Sequence, residues 1–198
     1  MEKKEIEDLS NLVFGLALTI GAVTLVAPVA DDASLLVGAI LNFALSFFII
    51  VWIWWIYNTI TKRSHGETRL KFGLNLVLLF LVVIEPFLLS VTNRTVGSVA
   101  YAIDIGTILL ILATYNELAI REAPVVSDRT VERWRWSRNF QVICALVFYA
   151  SIAIAFFPDV ASAGVQGMIW FVVFLIAVLS GFILDSRERR RAQGKAGE

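Results

Sequence analysis

The sequence predicts an all-α protein that crosses a membrane six times. The mean hydropathy of +0.76 lies far above the range of water-soluble domains. Of the 198 residues, 58% are hydrophobic, and they gather into six long apolar runs. Positive charge collects in alternate connections between these runs, as it does in proteins that cross a membrane repeatedly.

Each run is long enough, or nearly so, for a helix that needs about 20 residues to cross the hydrocarbon core. The backbone finds no water there, so only helices or a closed barrel can span it, and runs this long without alternation indicate helices. The six runs cover residues 12–28, 35–57, 72–91, 96–115, 140–157 and 165–184. We interpret residues 1–198 as a single six-helix transmembrane domain, because the longest connection is too short for an independent domain.

The distribution of Lys and Arg predicts the orientation of the helices. With the N-terminus in the cytoplasm, all of the 17 basic residues except Arg94 fall on the cytoplasmic side. The outer connections instead carry Asp31, Asp32 and Asp159. The sequence therefore predicts that both termini are cytoplasmic.

The first run has to be distinguished from a cleavable signal peptide. Four acidic residues precede it, against only Lys3 and Lys4, whereas a signal peptide begins with a positively charged region. Pro28 also occupies a place where cleavage needs a small residue. We therefore interpret this run as the first membrane helix.

Tryptophans mark the inner ends of the second and fifth runs, where they are typical of interfacial anchors. They are Trp52, Trp54, Trp55, Trp134 and Trp136. The sixth run ends before the basic stretch 189–191, which is typical of a stop-transfer flank and also fits contact with anionic lipid.

The third and fourth runs each contain an ionisable residue, Glu85 and Asp104, at similar depth in the outer half. Ionisable groups inside a membrane are costly and are functional candidates by default. These two residues are therefore possible cation or proton sites. The alternative is that they face an outer vestibule or pair with Arg94 and nearby hydroxyl groups.

Other residue patterns argue against an enzyme. The single cysteine, Cys144, and the single histidine, His65, exclude a disulfide framework, a thiolate metal cluster and a histidine-rich metal site. The sequence contains no P-loop, no H-E-x-x-H and no G-x-S-x-G motif. It also lacks the T-V-G-Y-G filter of common potassium channels. We expect no catalytic residues, no metal, no cofactor and no nucleic-acid partner.

Two motifs resemble the prokaryotic members of the transmembrane protein 175 family of potassium-permeable channels. The family's first helix opens with R-x-x-x-F-S-D and continues like A-V-F-A-I-A-I-T-L-L-V-L; here residues 9–20 read LSNLVFGLALTI. The family's third helix has Asn and Pro eleven residues apart, as Asn75 and Pro86 are here. Glu5, Leu9 and Asn11 replace the family's Arg, Phe and Asp, which indicates a divergent member with altered gating or conduction.

The resemblance implies a homotetramer in the plasma membrane of a prokaryote, whose first helices surround a pore for potassium or other monovalent cations in the lipid bilayer. In such proteins a large aliphatic residue forms the constriction, and a hydroxyl residue one turn later affects potassium preference. By position, the constriction is Leu16, followed by Ile20 and Val23, and the hydroxyl is that of Thr19. Ser10 and Asn11 correspond to the inner pore mouth.

Residues 16, 20 and 23 also have the helical spacing that would stack them as apolar rings, although ordinary packing or lipid contact would use the same spacing. Two other functions stay open. One is a proton- or cation-coupled transporter of small solutes that uses Glu85 and Asp104. The other is a non-transporting scaffold whose basic inner segments recruit partners.

Overall fold

A computed structural model describes residues 3–24, 33–63, 68–90, 95–122, 128–157, 165–176 and 178–179. Within these ranges every regular element is helical, which confirms the predicted fold class. The elements are α1 (Lys3–Thr24), α2 (Ala33–Thr61), α3 (Arg69–Ser90), α4 (Thr95–Glu122), α5 (Asp128–Ser151), a 3-10 turn (Ile152–Phe156) and α6 (Val165–Ile176). Five of these helices are long and apolar enough to cross a membrane, and the described part of α6 is shorter.

The helices extend beyond the apolar runs that predict them. α1 begins at Lys3 instead of residue 12, α5 begins at Asp128 instead of residue 140, and α4 continues to Glu122. Hydropathy marks only the part of a helix that lies in hydrocarbon, whereas the backbone hydrogen bonds continue into the polar region. The fifth run also ends differently, because α5 tightens into the 3-10 turn after Ser151.

α4 lies at the centre of the described bundle and packs against α2, α3 and α5. Its side chains Tyr101, Ile105, Ile108 and Leu112 are almost completely buried. They belong to a core to which α1, α2, α3 and α5 also contribute. A helix that is apolar all round is typical of the interior of a bundle.

Gly106 allows α4 and α5 to approach closely. A Cβ atom added there would lie 2.9 Å from the ring carbon Cζ of Tyr149. The Tyr149 hydroxyl is held beside it by a hydrogen bond of 3.0 Å with Thr107 Oγ1. The ring would have to move and strain this bond to accommodate a methyl group.

We therefore expect Gly106→Ala to lower the free energy of unfolding by about 1–3 kcal/mol, the usual cost of overpacking. Thermal unfolding of the purified protein measures the change. Gly73→Ala is the matched control, because a Cβ atom at Gly73 would meet nothing within 4 Å and alanine favours a helix by up to about 1 kcal/mol over glycine. Equal stabilisation by both substitutions would contradict the tight α4–α5 contact.

Basic side chains from successive helices meet at one end of the bundle, which we call the basic end. Lys71 pairs with Glu122, and both Arg121 and Arg138 pair with Glu117. The guanidinium of Arg63 lies 5.1 Å from the centre of the Trp134 ring. Consecutive helices therefore run in opposite directions, and the basic end corresponds to the side that the sequence predicts to be cytoplasmic.

Arg63 keeps its charge in this setting. Burial and, to a smaller extent, the charge of Arg133 lower the pKa of Arg63 to about 10. Because this value is well above neutral pH, the guanidinium stays protonated and can interact with the face of Trp134. This tryptophan, which the sequence predicts to be an interfacial anchor, is buried within the protein.

Candidate functional site: the exposed face of the first helix

α1 packs against the other described helices through one continuous face. Ile6, Ser10, Phe14, Ala17 and Gly21 follow one another at spacings of three or four residues, and all are buried. They pack against α2 and α3. This spacing places all five side chains on one side of a helix with 3.6 residues per turn.

The opposite side of α1 is apolar and open. Five of its exposed residues again follow a spacing of three or four; they are Leu9, Leu12, Leu16, Thr19 and Val23, and we call them the α1 stripe. Leu16 is 52% exposed and Val23 is 64% exposed, whereas Ala17 is completely buried. A repeat that averages about 3.5 residues is typical of helices that pack around a shared axis.

The structure separates the three predicted constriction residues. Leu16 and Val23 are seven residues apart, so their directions differ by only about 20° around the helix. Ile20 is turned about 40–60° from them towards the packed side, and it is only half-buried instead of exposed. Leu16 and Val23 therefore lie on the stripe, and Ile20 lies at its edge.

Thr19 is on the stripe between Leu16 and Val23. Its hydroxyl Oγ1 donates a hydrogen bond of 2.9 Å to the carbonyl oxygen of Gly15. Because the hydroxyl hydrogen is used within the helix, the oxygen lone pairs remain for a partner outside it. This arrangement suits coordination of a cation.

Ser10 joins three helices near the basic end. Its Oγ atom donates to the carbonyl oxygen of Ile6 at 2.7 Å. It accepts a hydrogen bond from Asn75 Nδ2 at 3.1 Å and lies 2.9 Å from the Tyr57 hydroxyl. Since the hydrogen of Ser10 is already donated, Tyr57 is the donor in that pair. All three side chains are buried, so the serine at the predicted inner mouth connects α1 to α2 and α3.

Asn11 lies on the exposed side of α1, beside Ser10. Its Oδ1 atom accepts a hydrogen bond of 2.9 Å from Trp54 Nε1 of α2. A carboxylate oxygen would accept the same bond, so the replacement of the family's Asp by Asn retains the acceptor and removes a charge. Asn11 and Trp54 also border an open groove between α1 and α2 that Ile50 and Val51 continue.

Glu85 and Asp104 are not part of the α1 stripe. Glu85 is completely buried and Asp104 is 3% exposed, so neither carboxylate faces an open vestibule. Glu85 accepts hydrogen bonds from Ser46 of α2 and Tyr101 of α4. Arg94, the predicted alternative partner, lies outside the described residues.

The sequence does not predict the hydrogen-bond partners of Ser10, Asn11 and Glu85. Tyr57 and Tyr101 lie within apolar runs and have no pattern that distinguishes them from other aromatic core residues. Trp54 is predicted to anchor the helix at the membrane interface, and its bond to Asn11 has no counterpart in the sequence. Ser46 lies within the second apolar run, and no local pattern pairs it with Glu85, to which it donates a hydrogen bond.

Part of the sequence matches a known protein family, and the fold matches a solved structure. Residues 5–86, which include most of α1 and α3 and all of α2, match the family model described as endosomal/lysosomal potassium channel TMEM175. This part of the chain is similar to the TMEM175 family. The match contains the α1 stripe, the Ser10 network and Glu85.

A solved TMEM175 structure shares the fold over nearly the whole chain. It is the crystal structure of a threonine-to-alanine variant of the potassium channel MtTMEM175, in complex with a nanobody fused to MBP. The TM-score is 0.63 at 15% sequence identity, and the alignment covers 91% of this chain and 93% of that chain. No curated protein matches the sequence. The TMEM175 fold thus extends beyond residues 5–86 to the later helices.

Proposed function

We propose that this chain is a TMEM175 protein and a subunit of a potassium-permeable cation channel in which the α1 stripe faces the conduction path. The family model and the solved relative are both described as potassium channels. The observation that carries the proposal is the stripe itself: α1 buries one face in its own subunit and leaves the opposite face apolar, aligned and open. A hydroxyl oxygen with free lone pairs interrupts this apolar face at Thr19.

The proposed assembly is a homotetramer in which four copies of α1 surround one axis. A stripe that repeats about every 3.5 residues meets its copies along its whole length when helices pack around an axis. Leu16 and Val23 would then form narrow apolar rings that resist wetting, and Ile20 would support them from the edge. Thr19 would supply oxygen atoms that replace part of the water shell of the ion.

Single cysteines on the stripe test the assembly. We expect Val23→Cys to form disulfides between subunits on oxidation, because side chains that face a shared axis approach one another. Leu146→Cys on α5 is the control, since Leu146 is 59% exposed and thus as accessible as the stripe. The native Cys144 is buried. Equal crosslinking at both positions, or none at Val23, would contradict a central α1.

Potassium flux into liposomes that contain the purified protein tests the function. We expect passive flux that does not saturate with potassium in the manner of a carrier. A coupled transporter would instead show saturable uptake of a solute, driven by a pH gradient and abolished by Glu85→Gln. Absence of any flux at any pH, together with a stable cytosolic complex, would favour a scaffold in the prokaryotic plasma membrane.

Thr19→Val is expected to reduce the preference for potassium over sodium while the protein continues to conduct. Valine has nearly the shape of threonine but no oxygen with which to replace water around an ion. The measurement is the ratio of potassium to sodium flux in liposomes.

Thr114→Val is the matched control for this substitution. Thr114 is also exposed, and its hydroxyl donates to the carbonyl oxygen four residues earlier at 2.8 Å, but it lies on α4. An equal change in the ratio for both variants would mean that Thr19 has no special position relative to the ion path.

A further inference from the structure

Four polar side chains from three helices meet in the half of the bundle away from the basic end. Glu85 of α3 lies between Ser46 of α2 and Tyr101 of α4. Ser46 Oγ donates to Glu85 Oε2 at 2.6 Å, and the Tyr101 hydroxyl donates to Glu85 Oε1 at 3.3 Å. Asp104, one helical turn after Tyr101, is close enough for its charge to act on both Glu85 and Tyr101.

No described residue donates a hydrogen bond to compensate the burial of Asp104. Both of its carboxylate oxygens are buried and have no hydrogen-bond partner among the described residues. An ionised carboxylate without a partner is very unfavourable in a low-dielectric interior, because it loses its water shell and gains nothing in exchange. A membrane-embedded bundle makes this cost larger than a soluble protein would.

The described helices around Glu85 and Asp104 place no positively charged side chain beside these two carboxylates. The titratable groups that face Glu85 in the described part of the chain are Tyr101 and Asp104, both on α4. α2 contributes only the hydroxyl of Ser46, and α6 contributes the Trp170 ring, whose centre lies 4.7 Å from that of Tyr101. Two carboxylates in such a site cannot both be ionised unless a cation joins them.

We propose that Glu85 and Asp104 form a proton-binding site that holds one exchangeable proton per subunit, away from the ion path. The two hydroxyl donors stabilise Glu85 as a carboxylate, and Asp104, which receives none, takes the proton on one of its oxygens. Binding converts one carboxylate to a carboxyl group, and release returns the proton to water. With the proton bound, the site carries one negative charge, shared with two donors, in place of two.

Pro86 connects this site to the buried face of α1. Pro86 follows Glu85, and its Cβ atom would lie 3.5 Å from a Cβ atom added at Gly21 of α1. Proline inside α3 also leaves the carbonyl group of Val82 without its usual helical donor. A change of one charge at Glu85 and Asp104 therefore acts on a weakened part of α3 that packs against α1, two residues before Val23.

Infrared difference spectroscopy of the purified full-length protein tests the site without any measurement of flux. We expect the wild type to show the carbonyl stretch of a buried protonated carboxyl group, which shifts in D₂O and disappears as the pH is raised. Asp104→Asn should remove this band. Glu85→Gln should retain the band and shift the pH at which it disappears, because the charge next to Asp104 is lost.

Glu132→Gln is the control, since Glu132 is exposed and its substitution should leave the band unchanged. Size-exclusion chromatography identifies variants that do not fold; if Asp104→Asn is one of them, the shift in Glu85→Gln decides the question. The proposal is overturned if the band survives in Asp104→Asn, or if its titration is unchanged in Glu85→Gln. It is also overturned if the wild type lacks the band and its carboxylate stretches respond instead to sodium or potassium ions.

A consequence for conduction rests on the proposed channel function. We expect potassium flux through the wild type to change with the pH at which the infrared band titrates, and flux through Asp104→Asn to lose that dependence. Absence of flux in both proteins would contradict the channel and leave the infrared result to decide on the proton site. Flux with the same pH dependence in both proteins would remove the link from the site to α1.

Discussion

Leu16→Ala is expected to raise the potassium flux of liposomes that contain the protein by at least several-fold. Leu16 is 52% exposed on the α1 stripe, and four copies would form the narrow apolar ring that we propose as the constriction. Removing most of each side chain widens the ring and makes water inside it less unfavourable. Each reduction of about 1.4 kcal/mol in the barrier multiplies the rate about tenfold.

Leu146→Ala is the matched control for this experiment. The residue type is the same and the exposed fraction, 59%, is similar, but Leu146 lies on α5. If truncation of leucine merely loosens the bundle and causes a leak, both variants will raise the flux equally. An unchanged flux in Leu16→Ala, in a wild type that conducts, would place the constriction elsewhere.

Ser10→Ala is expected to lower the free energy of unfolding by about 1–3 kcal/mol, the cost of removing a hydrogen-bond partner from buried polar groups. Ser10 Oγ is the shared acceptor of the Tyr57 hydroxyl and Asn75 Nδ2. Alanine takes this acceptor away from both buried donors, and it releases α1 from α2 and α3 at the basic end. Thermal unfolding of the purified protein measures the loss.

Two variants distinguish this network from a general effect of removing a hydroxyl. Thr114→Ala also removes a helical hydroxyl, but an exposed one that bonds to a carbonyl group of its own helix, so we expect a change within about 0.5 kcal/mol. Tyr57→Phe removes one donor and leaves Ser10 with its other partner, so it should cost less than Ser10→Ala. A larger loss in Thr114→Ala than in Ser10→Ala would contradict the network.

The residues of α1 show how far periodicity alone can reach. The sequence places Leu16, Ile20 and Val23 on one face, and in the structure Leu16 and Val23 are exposed whereas Ile20 is half-buried. Ile20 departs from them because a helix face is about 100° wide or more, and tertiary packing decides which edge of that face is covered. α1 packs against α2 and α3, and only the tertiary structure reveals that the edge with Ile20 is half-buried.

The surroundings of Glu85 and Asp104 could not be predicted from the sequence. Hydropathy identifies Glu85 and Asp104 as intramembrane groups at similar depth, but it does not indicate whether they face water, each other or a basic residue. Ser46 lies 39 residues before Glu85, and Tyr101 lies 16 residues after it. Contacts over such separations depend on which helices become neighbours, and no local pattern encodes that choice.

The sequence by itself determined the all-α fold, the approximate positions of the membrane helices and the resemblance of the first helices to the TMEM175 family, because each depends on local composition or on a contiguous motif. The tertiary structure decided which side of α1 is open, which hydroxyl groups meet Glu85, and that Asp104 has no hydrogen-bond partner among the described residues. These features arise when distant segments pack together, because some buried polar groups then form hydrogen bonds between segments and others do not. In a membrane, where no water can satisfy the remaining groups, that distribution of partners separates the residues that hold the bundle together from those that we propose to serve an ion or a proton.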